Sequence, residues 1–282
     1  MKWTPGADRG NVDDRRSSGG KGGGLGKGLG IGGTVVVLAL SLLTGRNLFQ
    51  DLGVEPGVGG TQSAPMSAAD SAAEDKEVDR ITFVLNDTQD TWARILPKYG
   101  QQYQPAKLVL FRNSTSSGCG PAQSAMGPFY CPLDQRVYID LNFFGELEKR
   151  FGASGDFARN YVLAHEIGHH VQHLAGTDRQ VRERQQSNPD AANQLSVRME
   201  LQADCFAGVW ANSTNSRGLL EQGDVDEALG AASAVGDDRI QQKTQGRVNV
   251  DGFTHGSAAQ RSEWFKRGFQ SGDPRTCDTF VS

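Results

Sequence analysis

Residues 164–173 read AHEIGHHVQH and place four of the chain's five histidines around a single glutamate. In a helix, side chains four residues apart stand one turn above each other on the same face. His165 and His169 then point the same way, with imidazoles able to converge on one ion, while Glu166 sits a step around the helix. This HExxH spacing suits zinc: neutral imidazoles bind Zn2+, and a carboxylate left off the ion can take a proton from water. His173 lies about 12 Å along the axis from His165, too far to share that ion. A third histidine in the longer pattern HExxHxxGxxH is ruled out, because Gln172 and Ala175 occupy the Gly and His positions.

A downstream carboxylate has to complete the set. The segment RMELQADCFAGVW (198–210) carries Glu200 and Asp204 one turn apart on a helix otherwise rich in apolar residues. Two acids on the buried side of such a helix are costly unless paired or metal-bound. Glu200 has the longer reach and is read as the third ligand. Asp204 is then placed to accept the N–H of a ligand histidine and fix its tautomer. The reverse assignment, Asp204 on the ion and Glu200 in support, stays open.

The chain has 282 residues, of which 37% are hydrophobic and 22% charged, with a net charge of −4. That balance describes a globular protein and speaks against disorder or a nucleic-acid partner. Residues 1–27 are polar and Gly-rich, and are expected to form a cytoplasmic tail. The run GLGIGGTVVVLALSLLTG (28–45) holds no charge and is about the length a helix needs to cross a bilayer. The basic residues before it predict a single-pass protein of the cell membrane with a cytoplasmic N-terminus and an extracytoplasmic domain. Residues 46–74 read as a flexible linker, leaving 75–282 as the folded domain. Cys119, Cys131, Cys205 and Cys277 contain no CxxC pair and suit two disulfides outside the cytoplasm. Of the three pairings open to them, Cys119–Cys131 across a Gly/Pro-rich loop with Cys205–Cys277 is the expected one, and four buried free thiols are the alternative.

Within the domain, VDRITFVLNDTQDTWARIL has apolar residues at helical spacing. AKLVLFRN and RVYIDLNFF read as strands, the second alternating Val137, Ile139 and Leu141 with polar positions. A helix follows from about Asp156 to Gly176, and then a polar connector. Pro189 opens another helix running to about Ala211. A shorter helix begins after Asp224, and AAQRSEWFKRGF forms the last one before SGDP. The expected class is α+β, mostly helical, with a small sheet before the histidine helix and an N-terminal transmembrane helix.

The motifs HEIGHH and ELQADCFAGVW, with NVDDRR, CGPAQSAMGPFYCP, VYIDLNFF, ALGAASAVGDDRI and FTHGSAAQRSEWF, resemble the bacterial neutral zinc metallopeptidases. The resemblance covers most of the chain outside the linker. It implies a zincin-like fold, a Zn2+ cofactor, a peptide or protein substrate and metalloendopeptidase activity. It also favours Glu200 over Asp204 as the third ligand. In that reading Glu166 is the general base, and His255, in GFTHGSAAQR, is the candidate donor to the oxyanion. Tyr138 is a weaker candidate, and the strand around Tyr138–Phe143 is a candidate cleft wall. Glu227, Asp237 and Asp238 read as helix-capping or solvated acids, and Arg261 and Trp264 as residues holding the last helix. The competing reading is a membrane-tethered binding or scaffold domain with a structural zinc; a free Glu166 separates the two, because a structural site has no use for it.

Overall fold

The computed structural model describes residues 1–17 and 68–281. The fold is mostly helical α+β with small sheets. A four-stranded sheet has the order β1-β2-β6-β5, from β1 (Val12–Asp14), β2 (Lys107–Phe111), β6 (Arg136–Asp140) and β5 (Phe129–Cys131). β1, β2 and β6 run parallel, with Val12 beside Leu108 and Leu108 beside Val137; β5 closes antiparallel. Between β2 and β5 a hairpin forms from β3 (Ser114–Ser117) and β4 (Gly120–Gln123), tied to the sheet by the disulfide Cys119–Cys131. The second expected disulfide, Cys205–Cys277, is also present.

Eight helices surround this frame among the described residues, the first between β1 and β2 and the rest after β6: α1 (Ala68–Ile95), α2 (Asn142–Phe151), α3 (Asp156–Ala175), α4 (Thr177–Ser187), α5 (Ala192–Ser216), α6 (Asp224–Ala234), α7 (Asp237–Gln245) and α8 (Ala258–Ser271). α3 carries the histidine motif and ends at Gly176, whose φ of 76° makes the left-handed turn that glycine adopts without strain. At the other end, Phe157 N donates to the Glu227 carboxylate at 2.8 Å, so an acid of α6 satisfies one of the free N–H groups of α3. One large core joins the sheet to α1, α3, α5 and α8 and contains Trp92, Tyr161, Trp210 and Phe265, all buried. A smaller cluster under the hairpin holds Val109, Phe111, Phe129 and Tyr138.

Helix contact is unusually close at three glycines. A Cβ added at Gly168 of α3 would lie 3.0 Å from Ala203 O of α5. On the far side of α5, a Cβ at Gly208 would lie 2.1 Å from Phe265 O, and one at Gly268 1.9 Å from Cys205 O. α5 is thus held backbone against backbone, between α3 and α8. Those contacts set how near the acids of α5 come to the histidines of α3.

Several expectations are corrected. The apolar run 28–45 lies outside the described residues, and no helix among those described is long and apolar enough to cross a membrane. The N-terminal transmembrane helix is therefore not supported, and neither is the single-pass membrane placement with a cytoplasmic N-terminus and an extracytoplasmic domain. Residues 1–17, expected to lie in a separate polar tail, are part of the folded body. β1 pairs with β2, Leu108 N donates to Asn11 O at 2.8 Å, and Arg16 bridges Glu74 and Asp75 of α1 at 2.8 and 2.9 Å. The Met1 amine sits between Glu221 and Asp224 at 3.0 and 2.8 Å. A chain crossing a bilayer once between residues 28 and 45 would separate the two sides of those contacts. Finally, the expected linker ends early, because α1 begins at Ala68, and the expected polar connector after Gly176 is the helix α4.

Gly268→Ala is expected to lower the unfolding free energy by about 1–3 kcal/mol or more, because its Cβ has no room against Cys205 O. Gly145→Ala, in α2 with nothing within 4 Å of its added Cβ, is expected to stabilise by about 0.5–1 kcal/mol through the unfolded chain. Urea denaturation of both variants checks the opposite signs.

Candidate metal centre

Helical spacing on α3 puts His165 and His169 one turn apart, their rings edge to face with centroids 4.8 Å apart. α5 approaches at Gly168 and brings Glu200 onto the same side. His165 Nε2 lies 3.1 Å from Glu200 Oε2, and His169 Nε2 lies 3.4 Å from Glu200 Oε1. His165, His169 and Glu200 offer ligand atoms that all lie within 4.8 Å of one another, a group able to hold a metal ion.

The back of each imidazole is occupied by an acceptor. His165 Nδ1 faces Asp204 Oδ1 at 2.9 Å, and His169 Nδ1 faces Gln172 Oε1 at 2.8 Å. Each ring therefore carries its proton on Nδ1 when neutral and turns the Nε2 lone pair toward Glu200. Two imidazole nitrogens and one carboxylate suit Zn2+ in donor type and leave a fourth tetrahedral position for water. The residues present fit the ion.

Asp204 is completely buried and stands behind the group, not in it. It accepts from Arg261 Nε at 2.8 Å and Nη2 at 2.9 Å, and also from the Tyr161 hydroxyl. Burial opposes its charge, but Arg261 and His165 hold its carboxyl below the usual range. Glu200 is likewise disfavoured by burial and held well below the carboxylate range by His169 and His165. The same charges act in reverse on His165: despite burial, Asp204 and Glu200 raise it to about 10. The site is built for positive charge.

Glu166 is only 7% exposed. Among the described residues it has no hydrogen-bond partner, and burial pushes its carboxyl upward against the lowering effect of His169 and His165. It belongs to neither the ligand group nor the support behind it. His255 lies on the loop before α8, its side chain 45% exposed, with Nδ1 3.2 Å from Asp237 Oδ1. Asp237 also accepts the backbone N–H of Thr254, His255 and Gly256 at 2.7, 2.6 and 3.0 Å. A Cβ on Gly256 would lie 3.2 Å from Leu201 and 3.3 Å from Val197, so this loop packs on the turn of α5 that carries Glu200. Partial burial opposes a charge on His255, yet its bond to Asp237 and the charge of Glu200 raise its pKa.

The other two histidines face elsewhere. His170 Nδ1 meets the Tyr130 hydroxyl of β5 at 2.9 Å and its Nε2 meets Gln104 O at 2.6 Å, while burial lowers its pKa to about 4. His173 pairs with Asp178 at 2.9 Å. Tyr138 is buried, stacked on Phe129 with its hydroxyl on Asp134, and its strand β6 lies inside the sheet, not at an edge. That placement removes Tyr138 and its strand as a cleft wall.

Sequence reasoning missed Arg261, Tyr161, Gln172 and Asp237 at this site. Tyr161 stands one turn before His165 on the same face, a spacing that could have flagged it. Arg261 arrives from α8 and carries no local signal.

The whole chain from residue 1 to 280 matches a protein family described as "Putative neutral zinc metallopeptidase". It is 50% identical to "Uncharacterized protein YpfJ" of Escherichia coli K12 over 99% of both chains. To "Uncharacterized protein Rv2575" of Mycobacterium tuberculosis it is 43% identical, over 81% of this chain and 84% of that one. No solved structure matches it. With a family model running the length of the chain and a donor set that suits zinc, the chain belongs to the neutral zinc metallopeptidase family.

Proposed function

We propose that this chain is a zinc-dependent peptidase in which His165, His169 and Glu200 hold the ion and Glu166 is the general base. The observation that carries this reading is Glu166, a residue only 7% exposed, next to a histidine of the metal-holding group, whose carboxylate is bonded to no described residue and is left free for a water. A structural site needs no such group. Bound zinc lowers the pKa of water toward about 7 and polarises a carbonyl oxygen.

The chain's own residues supply the rest. Glu166 accepts the proton of the attacking water on a carboxylate oxygen and returns it to the leaving amine nitrogen. Its burial favours this, because a carboxylate with a raised pKa is a stronger base and can be protonated for the second step. Asp204 holds the Nδ1 proton of His165, and Arg261 keeps Asp204 ionised. His255 reaches toward the charge that develops on the carbonyl oxygen, and Asp237, accepting at Nδ1, leaves Nε2 as its forward atom.

Glu166→Gln is expected to keep zinc stoichiometry and lose about 10²–10⁴-fold in peptide hydrolysis. Metal analysis and fluorogenic peptide cleavage measure both; full activity in that variant would discard the catalytic role. His255→Ala is expected to lower kcat about 10²-fold with zinc retained. Unchanged kcat there would return His255 to the surface. A chelator should abolish cleavage and added Zn2+ restore it.

A further inference from the structure

Taking His169 as a zinc ligand, the geometry points to Gln172 as the positioning residue that sets its tautomer, fastened to the third-ligand helix and to the C-terminal turn. We infer this from a hydrogen-bond chain in which each orientation is forced by the next. The Gln172 side chain is completely buried. Its Nε2 lies 2.7 Å from Met199 O and 3.0 Å from Gln202 Oε1. A backbone carbonyl can only accept, so the NH2 of Gln172 must face Met199 and its oxygen must face His169. That oxygen can only accept as well. His169 Nδ1 therefore carries the hydrogen in the 2.8 Å contact, and Nε2 is left with the lone pair that faces Glu200.

Gln202 is fixed in the same way. It is 8% exposed, and its Nε2 donates to Cys277 O at 3.1 Å, which turns its oxygen toward Gln172. Cys277 is in turn bonded to Cys205, the residue after Asp204. Met199 directly precedes Glu200. Gln172 thus links the second ligand histidine to the backbone beside the third ligand, and the chain ends at a disulfide rooted beside the carboxylate that supports His165. The two histidines are oriented by unlike means. His165 has an ionised carboxylate behind it, whereas His169 has a neutral amide whose direction is dictated by two backbone carbonyls.

The test is zinc affinity, by chelator competition at fixed pH, on wild type, Gln172→Leu, Gln202→Leu and Gln185→Leu, with melting of the metal-free proteins followed in parallel. Gln185 is the control: it is equally a glutamine 8% exposed, donating to Ala192 O at 3.1 Å and Ser196 Oγ at 3.0 Å, away from His169. Gln172→Leu is expected to weaken zinc binding about 10–100-fold and to change the visible spectrum of the Co2+-substituted protein. Gln202→Leu should weaken it in the same direction by less, and Gln185→Leu should lower the melting temperature without moving zinc affinity. The inference is overturned if folded Gln172→Leu keeps wild-type zinc affinity and cobalt spectrum, or if Gln185→Leu loses as much zinc binding. Where Gln172→Leu does not fold, wild-type affinity in Gln202→Leu overturns it. Failure of the wild type itself to bind zinc would bring down the metal reading and this inference with it, a result distinct from loss in a variant alone.

Discussion

The acids of α5 stand one turn apart, Asp204 buried and Glu200 mostly withdrawn from solvent, and neither would be readily tolerated there as a lone charge. An isolated carboxylate taken out of water neutralises or finds a counter-charge. Asp204 finds Arg261, through two short bonds from one guanidinium, so its charge is answered inside the protein. Glu200 has instead the Nε2 atoms of two histidines, which are cationic only when protonated. Burial opposes a charge on His165, but Asp204 and then Glu200 raise its pKa, so the carboxylates favour positive charge at this ring. A divalent cation, in the proposed reading, would answer the same charge and let both imidazoles stay neutral. The contact of Gly168 with Ala203 brings these opposed requirements together, since a wider helix spacing would leave Glu200 facing water.

The remaining helices serve this arrangement from behind. α6 caps α3 through Glu227, α7 supplies Asp237 beneath His255, and α8 delivers Arg261 and, through Gly268, the close grip on α5. Residues from 224 onward therefore supply none of the three atoms of that group but support Asp204, His255 and the start of α3. The family's two motifs on α3 and α5 are the visible part of a centre whose electrostatics are closed by the last quarter of the chain.

The histidine helix, its stop at Gly176 and the acid-bearing helix were legible in the sequence because each is written in local spacing. Spacing alone left Glu200 and Asp204 open as alternatives; in space Glu200 meets His165 Nε2 and Asp204 meets Nδ1, the contacts on which the proposed roles rest. α4 was missed because Thr177–Ser187 has almost no apolar residue to mark a face; only Val181 and Gln185 are buried there. Arg261 and Asp237 were read as local supports, since nothing in their neighbours reveals that α8 crosses α5 or that one acid collects three backbone N–H groups. The membrane expectation came from composition in 28–45, and composition says nothing about whether the residues on either side pair with each other. β1 shows that they do, through a strand of three residues whose single apolar member, Val12, leaves no alternating pattern to detect.

That short strand also bears on how the protein is made. β1 finds its partner β2 about a hundred residues further along the chain. At ribosomal speeds of about 5–20 residues per second, it waits on the order of 5–20 s before Leu108 exists to pair with it. An unpaired strand is an invitation to aggregation, and here it carries charge at Asp13 and Asp14 and is followed by Arg15 and Arg16, which discourages chance partners during the delay. In the folded protein the same segment is fastened in place by Arg16, which pairs with Glu74 and Asp75, and by Asp13, which pairs with Arg136.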